Sequence, residues 1–392
     1  MTDQPHRRFA LPKAAPDGLV ASVLLAFIAT AGLFYVNIMP ALVSGLQDGL
    51  GFSARSAGLV GSLNVYGAAL GALAAVFVVA RISWKPVAFG LLLALIATDL
   101  VSTQLTTAGV LMIVRFLHGL IGGFLVGVGF AVIARTAAPD RTFGMLLVVQ
   151  FGLGGLGLLL LPGLVPTFGT PVLFLSLAAF SVAAALMLPF LADYAPRPRP
   201  APVAQAGGLV RWAPLASALV AVFLFQAANM ALSAYVIGLG RFYGLSGPFI
   251  SSTLAAANWI GALGSVLVVV IGLRWGRFWP ILIGALVTLA GTLAFLRSDL
   301  PVLFVVANVL TAVVWAFVIP YLLGLCAAFD PGGRIATLAG FFSKLGLASG
   351  PALGAVLLAE THFPRLVALA LTGLCLSAAF ALAPARQLDR TS

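Results

Sequence analysis

The stretch NVYGAALGA, residues 64–72, recurs in altered form as NWIGALGSV at residues 258–266. Both copies begin with asparagine and place glycine and alanine inside an apolar run, a pattern that lets two helices approach closely. The separation between the copies is about half the length of the 392-residue chain. The sequence is therefore predicted to contain two copies of one structural unit.

Further matches follow in the same order and at almost the same separation. They pair PVAFGLLL (86–93) with PILIGALV (280–287), VLMIV (110–114) with VLFVV (302–306), and Pro139 with Pro331. A single match between apolar segments arises easily by chance, but a shared order along the chain does not. The order predicts two bundles of helices in the same orientation, related by an axis along the membrane normal.

The composition identifies the class of protein. The chain is 62% hydrophobic and only 8% charged, which is too few charges to cover the surface of a soluble protein. The net charge of +11 comes from basic residues in short loops, without the basic patch interleaved with aromatic residues that binds nucleic acid. We therefore expect a multi-pass protein whose surroundings are the lipid bilayer, with no nucleic-acid partner.

Twelve apolar runs are long enough to cross the bilayer, for which a helix needs about 20 residues. The runs are continuous rather than short and alternating, which excludes a β-barrel. We predict an all-α membrane protein with twelve transmembrane helices in two pseudo-symmetric six-helix bundles. The predicted spans are residues 18–45, 54–80, 86–105, 108–134, 142–164, 170–191, 213–238, 248–272, 278–297, 300–328, 335–359 and 363–383.

The longest polar segment, DYAPRPRPAPVAQAGG at 193–208, separates six spans from the other six. It is rich in proline and has no apolar periodicity, which is typical of a semi-extended linker. The predicted organisation is an N-terminal tail (1–17), a first bundle (18–192), a linker (193–212), a second bundle (213–383) and a C-terminal tail (384–392).

Lys and Arg residues indicate the orientation, because they are in excess in cytoplasmic loops. If both termini are cytoplasmic, the outside loops hold only Arg55, Arg241, Arg297 and Arg365, and all other loop Lys and Arg residues are cytoplasmic. We therefore expect both termini in the cytoplasm, and a location in a bacterial inner membrane.

Three motifs stand out in the predicted spans. They are IMPALVSGLQDGLGFSARSAGLVGSLNVYGAALGAL (38–73) in spans one and two, RFLHGLIGG (115–123) in span four and GLASGPALG (346–354) in span eleven. Together they resemble the major facilitator superfamily of secondary transporters, of the 12-span type, over nearly the whole chain. The resemblance implies a solute site between the bundles, lined by spans one, four, seven and ten. It also implies that the family's span-four arginine takes part in proton coupling.

The family's loop motif between spans two and three is only partly present. In VFVVARISWK (76–85), Arg81 and Lys85 remain as the basic residues of this conformational motif. Ala80 stands where the family has an acid that latches one conformation, and Ser83 stands where it has glycine. The Gly-Pro motif also differs, since it lies in span eleven rather than in span five, where antiporters of the family carry it.

Asp99, Arg115, His118 and Lys344 lie deep inside predicted spans rather than at their ends. A buried arginine costs about 2.5–3.5 kcal/mol at a helix centre on insertion scales, so it is expected to have a partner or a function. At 1.5 Å per residue, Asp99 and Arg115 lie at similar depth on adjacent antiparallel helices, which predicts an ion pair. The pair is either a static link between spans three and four or, with His118, a proton-coupling group beside the cavity. Lys344, together with Arg115, favours an anionic solute.

Uncharged polar residues complete the candidate solute site. They are Tyr35, Asn37, Gln150, Gln226, Asn229, Asn258, Asn308 and Trp315. Each is interpreted either as a solute contact or as a hydrogen bond between helices. The glycine spacings Gly67/Gly71 and Gly346/Gly350/Gly354 are interpreted as close helix packing.

We predict a secondary transporter that moves a small organic solute by alternating access, coupled to protons, with export of a drug or metabolite favoured. The alternative is proton-coupled or facilitated import of a small metabolite, whether anionic or not. A remote alternative, an intramembrane lipid-modifying enzyme, would need clustered acids or histidines, whereas Glu360 is the only glutamate. No catalytic residue, metal site or cofactor is expected, since the two cysteines form no CxxC and no nucleotide motif is present. The protein is expected to work as a monomer.

Overall fold

The computed structural model describes residues 12–79, 81–194, 211–329, 336–358 and 362–390. Within these ranges the regular structure is helical and contains no strand, which confirms the predicted fold class. The helices are α1 (Leu19–Ala31), α2 (Phe34–Asn37), α3 (Met39–Leu50), α4 (Ala54–Val78), α5 (Trp84–Ser102), α6 (Ala108–Ile133), α7 (Pro139–Phe168), α8 (Pro171–Met187), α9 (Trp212–Ala234), α10 (Val236–Phe242), α11 (Gly247–Ile271), α12 (Phe278–Ala294), α13 (Pro301–Ala328), α14 (Ala336–Leu357) and α15 (Phe363–Asp389). The 3₁₀ helices Leu188–Phe190 and Phe295–Arg297 extend α8 and α12.

The predicted spans correspond closely to these helices. Eleven described helices are long and apolar enough to cross a membrane, and α1 to α3 together form the first predicted span. Two spans, the first and the seventh, are broken within the membrane, and α15 runs past the predicted end of its span at residue 383. Most of the predicted linker, most of the N-terminal tail, Ala80, Pro331 and Glu360 lie outside the described residues.

The breaks in the first span have local causes. Pro40 has no N–H, so the carbonyl of Val36 loses its helical partner and the chain turns at Ile38, with φ −107° and ψ 16°. Just before, Gly32 crosses α6 so closely that a Cβ there would lie 2.2 Å from the carbonyl oxygen of Gly122. The irregular segment between these points carries Asn37, and the seventh span is broken at Tyr235.

The repeated stretch is the packing face of one helix pair in each lobe. Helices α1–α8 form the first lobe, in which α4 packs along α6: a Cβ on Gly67 would lie 2.1 Å from the Phe116 carbonyl oxygen. In the second lobe, α9–α15, the equivalent α11 packs along α13, and a Cβ on Gly264 would lie 2.0 Å from the Val313 carbonyl oxygen. Glycine is needed at both places because any side chain would separate the helices.

The lobes meet along two helix pairs, α4 with α14 and α7 with α11. Residue 12 and residue 390 lie at the same end of the molecule, which we call the terminal end; the opposite end is the far end. Helices α3 and α10 finish at the far end, where they also contact each other. The interface leaves a space between the lobes near the middle of the helices.

Candidate functional site

A cavity of about 200 Å³ lies between the lobes. Six of the predicted solute-binding residues line it: Asn37, Gln150, Asn229, Asn258, Asn308 and Trp315. Both lobes contribute, since Asn37 and Gln150 belong to the first and the other four to the second. The lining residues among the described part of the chain include no Asp, Glu, Lys, Arg or His. The cavity wall is therefore uncharged and rich in carboxamides.

Several of these carboxamides are held by the backbone. Asn229 Nδ2 donates to the carbonyl of Phe225, and Asn308 Nδ2 donates to the carbonyl of Phe304, both at 2.8 Å. Each bond runs one turn back along the residue's own helix. A backbone carbonyl only accepts hydrogen bonds, so the side-chain atom that faces it must be the amide nitrogen. The amide oxygen is therefore the side-chain atom that faces away from that carbonyl.

Trp315 is fixed by a chain of hydrogen bonds within the second lobe. Its Nε1 donates to Gln226 Oε1 at 2.7 Å, and Gln226 Nε2 donates to Ser343 Oγ at 2.8 Å. Gln226 is therefore buried behind the cavity and positions Trp315, rather than lining the cavity as predicted. From the first lobe, the ring of Phe151 meets Trp315 edge to face at 6.4 Å between centroids.

The predicted pair of Asp99 and Arg115 is confirmed. Arg115 Nη1 donates to Asp99 Oδ1 at 2.7 Å, and both side chains are fully buried. Arg115 Nη2 also donates to the Thr98 carbonyl at 3.0 Å and to the hydroxyl of Ser102. The guanidinium lies 4.9 Å from the ring centroid of Phe174, a cation–π distance. The charge is thus neutralised and hydrogen-bonded inside the first lobe, as a buried arginine requires.

The predicted position of Arg115 beside the cavity is wrong. Its side chain is 0% exposed and is absent from the cavity wall. The reason is that its partners, Thr98, Asp99 and Ser102, all lie on α5, which draws the guanidinium away from the other lobe. Arg115 therefore makes no solute contact in this structure.

His118 joins the same cluster in a defined tautomer. Asn64 Nδ2 donates to the Arg115 carbonyl at 2.9 Å and lies 2.9 Å from His118 Nδ1. Because the carbonyl identifies the Asn64 nitrogen, its second proton is donated to Nδ1, which must be unprotonated. The ring proton is then on Nε2, 3.2 Å from Asp99 Oδ1. Asn64 thus holds His118 neutral, with its proton directed at Asp99.

Tyr35 belongs with this cluster and not with the cavity, contrary to the prediction. Its ring centroid lies 6.1 Å from that of His118, and its hydroxyl is buried without a hydrogen-bond partner among the described residues. Asp99 Oδ2 and Arg115 Nε are unpartnered in the same sense. One acceptor and two donors of the cluster thus have no partner among the described residues, which is unusual for buried polar groups.

The far end is held shut by two contacts between the lobes. Arg241 Nη1 lies 2.8 Å from both carboxylate oxygens of Asp48. The hydroxyl of Tyr235, at the break in the seventh span, donates within its own lobe to the Pro351 carbonyl at 2.8 Å and lies 3.3 Å from the Ala54 carbonyl of the first lobe. We call the contacts of Arg241 with Asp48 and of Tyr235 with Ala54 the far-end clamp.

The other bonds between lobes lie near the middle of the helices. The hydroxyls of Tyr66 and Ser349 are 2.8 Å apart, and Trp259 Nε1 donates to the Gly152 carbonyl at 3.1 Å. The lobes are thus tied at the far end and at mid-height.

The comparisons with known proteins match this architecture. The sequence profile described as Major Facilitator Superfamily matches residues 23–355. The chain belongs to the major facilitator superfamily. A solved structure of a point mutant of the nucleoside transporter NupG is similar in fold, with a TM-score of 0.69 and 15% sequence identity, covering 95% of this chain and 98% of that one. No curated protein matches the sequence. This superfamily member is thus a multi-pass integral membrane protein and a transporter, not an enzyme.

The superfamily loop motif is tied to the end of the first lobe. Lys85 Nζ lies 2.8 Å from Asp193 Oδ1 and donates to the Leu191 carbonyl at 2.7 Å, while Lys13 Nζ lies 2.9 Å from Asp193 Oδ2. The hydrogen bonds from Lys85 and then Lys13 hold the pKa of Asp193 below its usual range. Arg81 is exposed. Asp193 thus supplies a carboxylate near a loop where residue 80 is not an acid.

Lys344 lies on α14, one turn closer to the terminal end than the cavity-lining Leu347. It is half-buried, and among the described residues no carboxylate forms an ion pair with it. Spacing of three residues places both side chains on one face of the helix. Lys344 is therefore placed beside the route between the cavity and the terminal end rather than in the cavity wall.

Sequence reasoning missed several residues of this arrangement. Asn64 was not singled out, although it occupies the same place in the repeat as Asn258, which lines the cavity. The clamp residues Asp48, Arg241 and Tyr235 were also missed. Asp48 is the acid in the quoted motif of the first span, so the signal for it was present in the sequence.

Proposed function

We propose that this protein is a secondary transporter that carries a small organic solute by alternating access and couples the movement to protons. The observation that carries the proposal is the cavity between the lobes, lined from both sides and closed at the far end by the clamp. A solute bound there touches both lobes, so rocking of one lobe against the other changes the side from which it is reached.

The conformation corresponds to a cavity that faces the terminal end. The excess of Lys and Arg in the loops at that end supports assigning it to the cytoplasm, so both termini would be cytoplasmic. The inner membrane of a bacterium is the location proposed for it. Residues 18–192 and 213–383 are proposed as the two domains that move against each other.

Proton coupling is assigned to the cluster of Asp99, Arg115 and His118. In this conformation Asn64 donates a hydrogen bond to His118 Nδ1, so the ring accepts a second proton only if Asn64 moves. Asn64 lies on α4, which packs against α14 of the other lobe. Rocking of α4 against α14 therefore connects the conformation of the lobes with the protonation of His118. Arg115 holds the carboxyl group of Asp99 in place while this happens, through the 2.7 Å contact between them.

The uncharged cavity does not favour the anionic solute predicted from Arg115 and Lys344. Arg115 is remote from the cavity, and Lys344 lies a turn away from its wall. The nucleoside of the structurally similar NupG is an example of an uncharged organic solute of suitable size. Export, which the sequence favoured, stays a prediction, as does a monomeric state.

The test uses purified protein in liposomes. A thermal-shift panel of metabolites at two pH values first identifies a ligand, and its radiolabelled form is then followed in two assays: accumulation driven by an imposed proton gradient, and counterflow without a gradient. We expect His118→Gln to lose gradient-driven accumulation but to keep counterflow, because glutamine fills the site without titrating. Asn308→Leu, in the cavity wall, should weaken both.

Two outcomes contradict different parts of the proposal. Accumulation by the unmodified protein that ignores the proton gradient removes the coupling and leaves transport intact. Equal loss of counterflow and accumulation in His118→Gln assigns the cluster to structure. Full activity of both variants would remove the proposed cavity as well as the cluster.

A further inference from the structure

The chemistry of the cavity wall limits which solute it accepts, given that the wall is the solute site of the proposed function. The described lining residues offer carboxamides, hydroxyls and apolar surface but no charge. Burying an ionised carboxylate, phosphate or ammonium against such a wall leaves the charge without a partner, which costs several kcal/mol. An uncharged solute avoids this cost.

In three of the wall's carboxamides, those of Asn37, Asn229 and Asn308, the oxygen is the available hydrogen-bonding atom. The nitrogens of Asn229 and Asn308 donate to the backbone of their own helices at 2.8 Å, and that of Asn37 donates across to the Gln150 carbonyl at 3.4 Å. The oxygens of these three side chains bond to no described residue, yet they are absent from the sealed, unpartnered atoms. They are therefore open to the cavity. These three residues present oriented acceptors from both lobes, while Gln150 and Asn258 offer both an amide oxygen and an amide N–H.

An aromatic face completes the wall. The only donor of Trp315 is used by Gln226, so the indole offers the cavity its ring surface and no hydrogen bond. Gln226 and Ser343 fix the orientation of that ring. Phe151 from the first lobe approaches it edge to face, so a planar group bound against Trp315 also meets the other lobe.

We propose that the transported solute is an uncharged molecule that combines a planar ring with two or more hydroxyl or N–H donors. The ring packs on Trp315, and the donors reach the amide oxygens of Asn229 and Asn308. A hydroxyl or ring N–H supplies the proton that these acceptors lack, whereas an ether or a carboxylate at the same place puts oxygen against oxygen. The solute class is thus set by donors rather than by charge.

The experiment compares matched probes on two unrelated scaffolds, uridine and phenyl glucoside. Each is measured beside its fully O-methylated ether, which keeps the ring and loses the hydroxyl donors, and beside an anionic relative, uridine monophosphate or phenyl glucuronide. Binding to the purified protein is followed by thermal shift and by counterflow in liposomes. We expect at least one parent compound to bind at least tenfold more tightly than its ether and its anionic relative.

Variants locate the contacts. Asn229→Leu and Asn308→Leu should each weaken binding of the parent probe roughly tenfold, the effect of one lost hydrogen bond in a dry site. The same variants should leave the weak binding of the ether unchanged. The control is Ser252→Ala, whose hydroxyl is exposed and bonds only to its own helix, and which should bind every probe normally.

The outcomes separate this inference from the proposed function. Tighter binding or faster counterflow of an ether or an anion, or no binding by either parent probe, overturns the donor-bearing class. Counterflow of any compound in the panel keeps alternating access, whichever class it belongs to. Loss of ether binding in the two leucine variants would show that they damage the cavity as a whole, and would also contradict the assigned contacts.

Discussion

The buried pair of Asp99 and Arg115 permits a test that separates structural from mechanistic roles. Three variants are needed: Arg115→Met, Asp99→Asn, and the two together. Each single change leaves one charge without its partner in a fully buried position, because both side chains are 0% exposed. Breaking a buried pair in this way costs about 3–5 kcal/mol of unfolding free energy.

The double variant should be far less damaged. No charge is left uncompensated in it, and the carboxamide introduced by Asp99→Asn would still offer an oxygen to His118 Nε2, which now lies 3.2 Å from the carboxylate of Asp99. What remains is the smaller packing loss of replacing arginine by methionine, about 1–2 kcal/mol. The double-mutant cycle should therefore show an interaction energy of at least about 2 kcal/mol. Unfolding in mixed detergent micelles, followed by circular dichroism, measures all four proteins under one condition.

The exposed pair of Arg297 and Asp299 provides the control. Its side chains are 66% and 49% exposed, so the same cycle there should give an interaction energy under about 1 kcal/mol. Additive losses at the buried pair, within about 0.5 kcal/mol, would refute the reasoning. The double variant also tests coupling: if it regains stability and gradient-driven transport together, the pair is only a static link between α5 and α6.

Three further predictions concern packing, the far-end clamp and the terminal end. Gly119→Ala should lower stability by about 1–3 kcal/mol, since its Cβ would lie 1.8 Å from a carbonyl oxygen of α4, while Gly90→Ala, which faces open space, should be neutral in the same unfolding assay. Asp48→Asn should weaken the half-exposed ion pair of the clamp by about 1 kcal/mol, a roughly fivefold shift of the conformational equilibrium, seen as faster labelling of far-end cysteines. The lowered pKa of Asp193 means that its contact with Lys85 is complete above the usual carboxyl pKa of about 3.9 and is lost as the pH falls through the lowered value. Proteolysis of the adjoining segment should therefore be unchanged between pH 7 and 5 and rise only near pH 3, and Asp193→Asn should remove that dependence.

The spans were predictable because each one needs about 20 apolar residues, a pattern that survives whatever the helices pack against. The pairing of Asp99 with Arg115 was predictable from depth alone. Depth says nothing about the direction in which a side chain points around its helix, and for this reason Arg115 was wrongly placed beside the cavity. The break at Ile38 follows from Pro40, whereas the break at Tyr235 has no proline or glycine to announce it.

The residues of the cavity wall were likewise predictable only in part. Six of ten predicted solute contacts line it because polar side chains inside spans are costly and concentrate where water or solute enters. Tyr35 and Gln226 satisfy the same sequence criterion but serve the cluster and Trp315. Only the packing of the helices decides between these uses, and the sequence of one helix carries no information on its neighbours.

The central claim, that the lobes rock about a cavity now closed at the far end, is tested most directly by distances between spin labels. With exposed Cys375 replaced by serine and buried Cys326 kept, one label pair is placed at the far end (Gln104→Cys and Leu300→Cys) and another at the terminal end (Arg81→Cys and Arg274→Cys). On adding Asp48→Asn, the far-end distances should lengthen while the terminal-end distances shorten. Distances that stay unchanged at both ends, or that lengthen at both ends, would contradict the account.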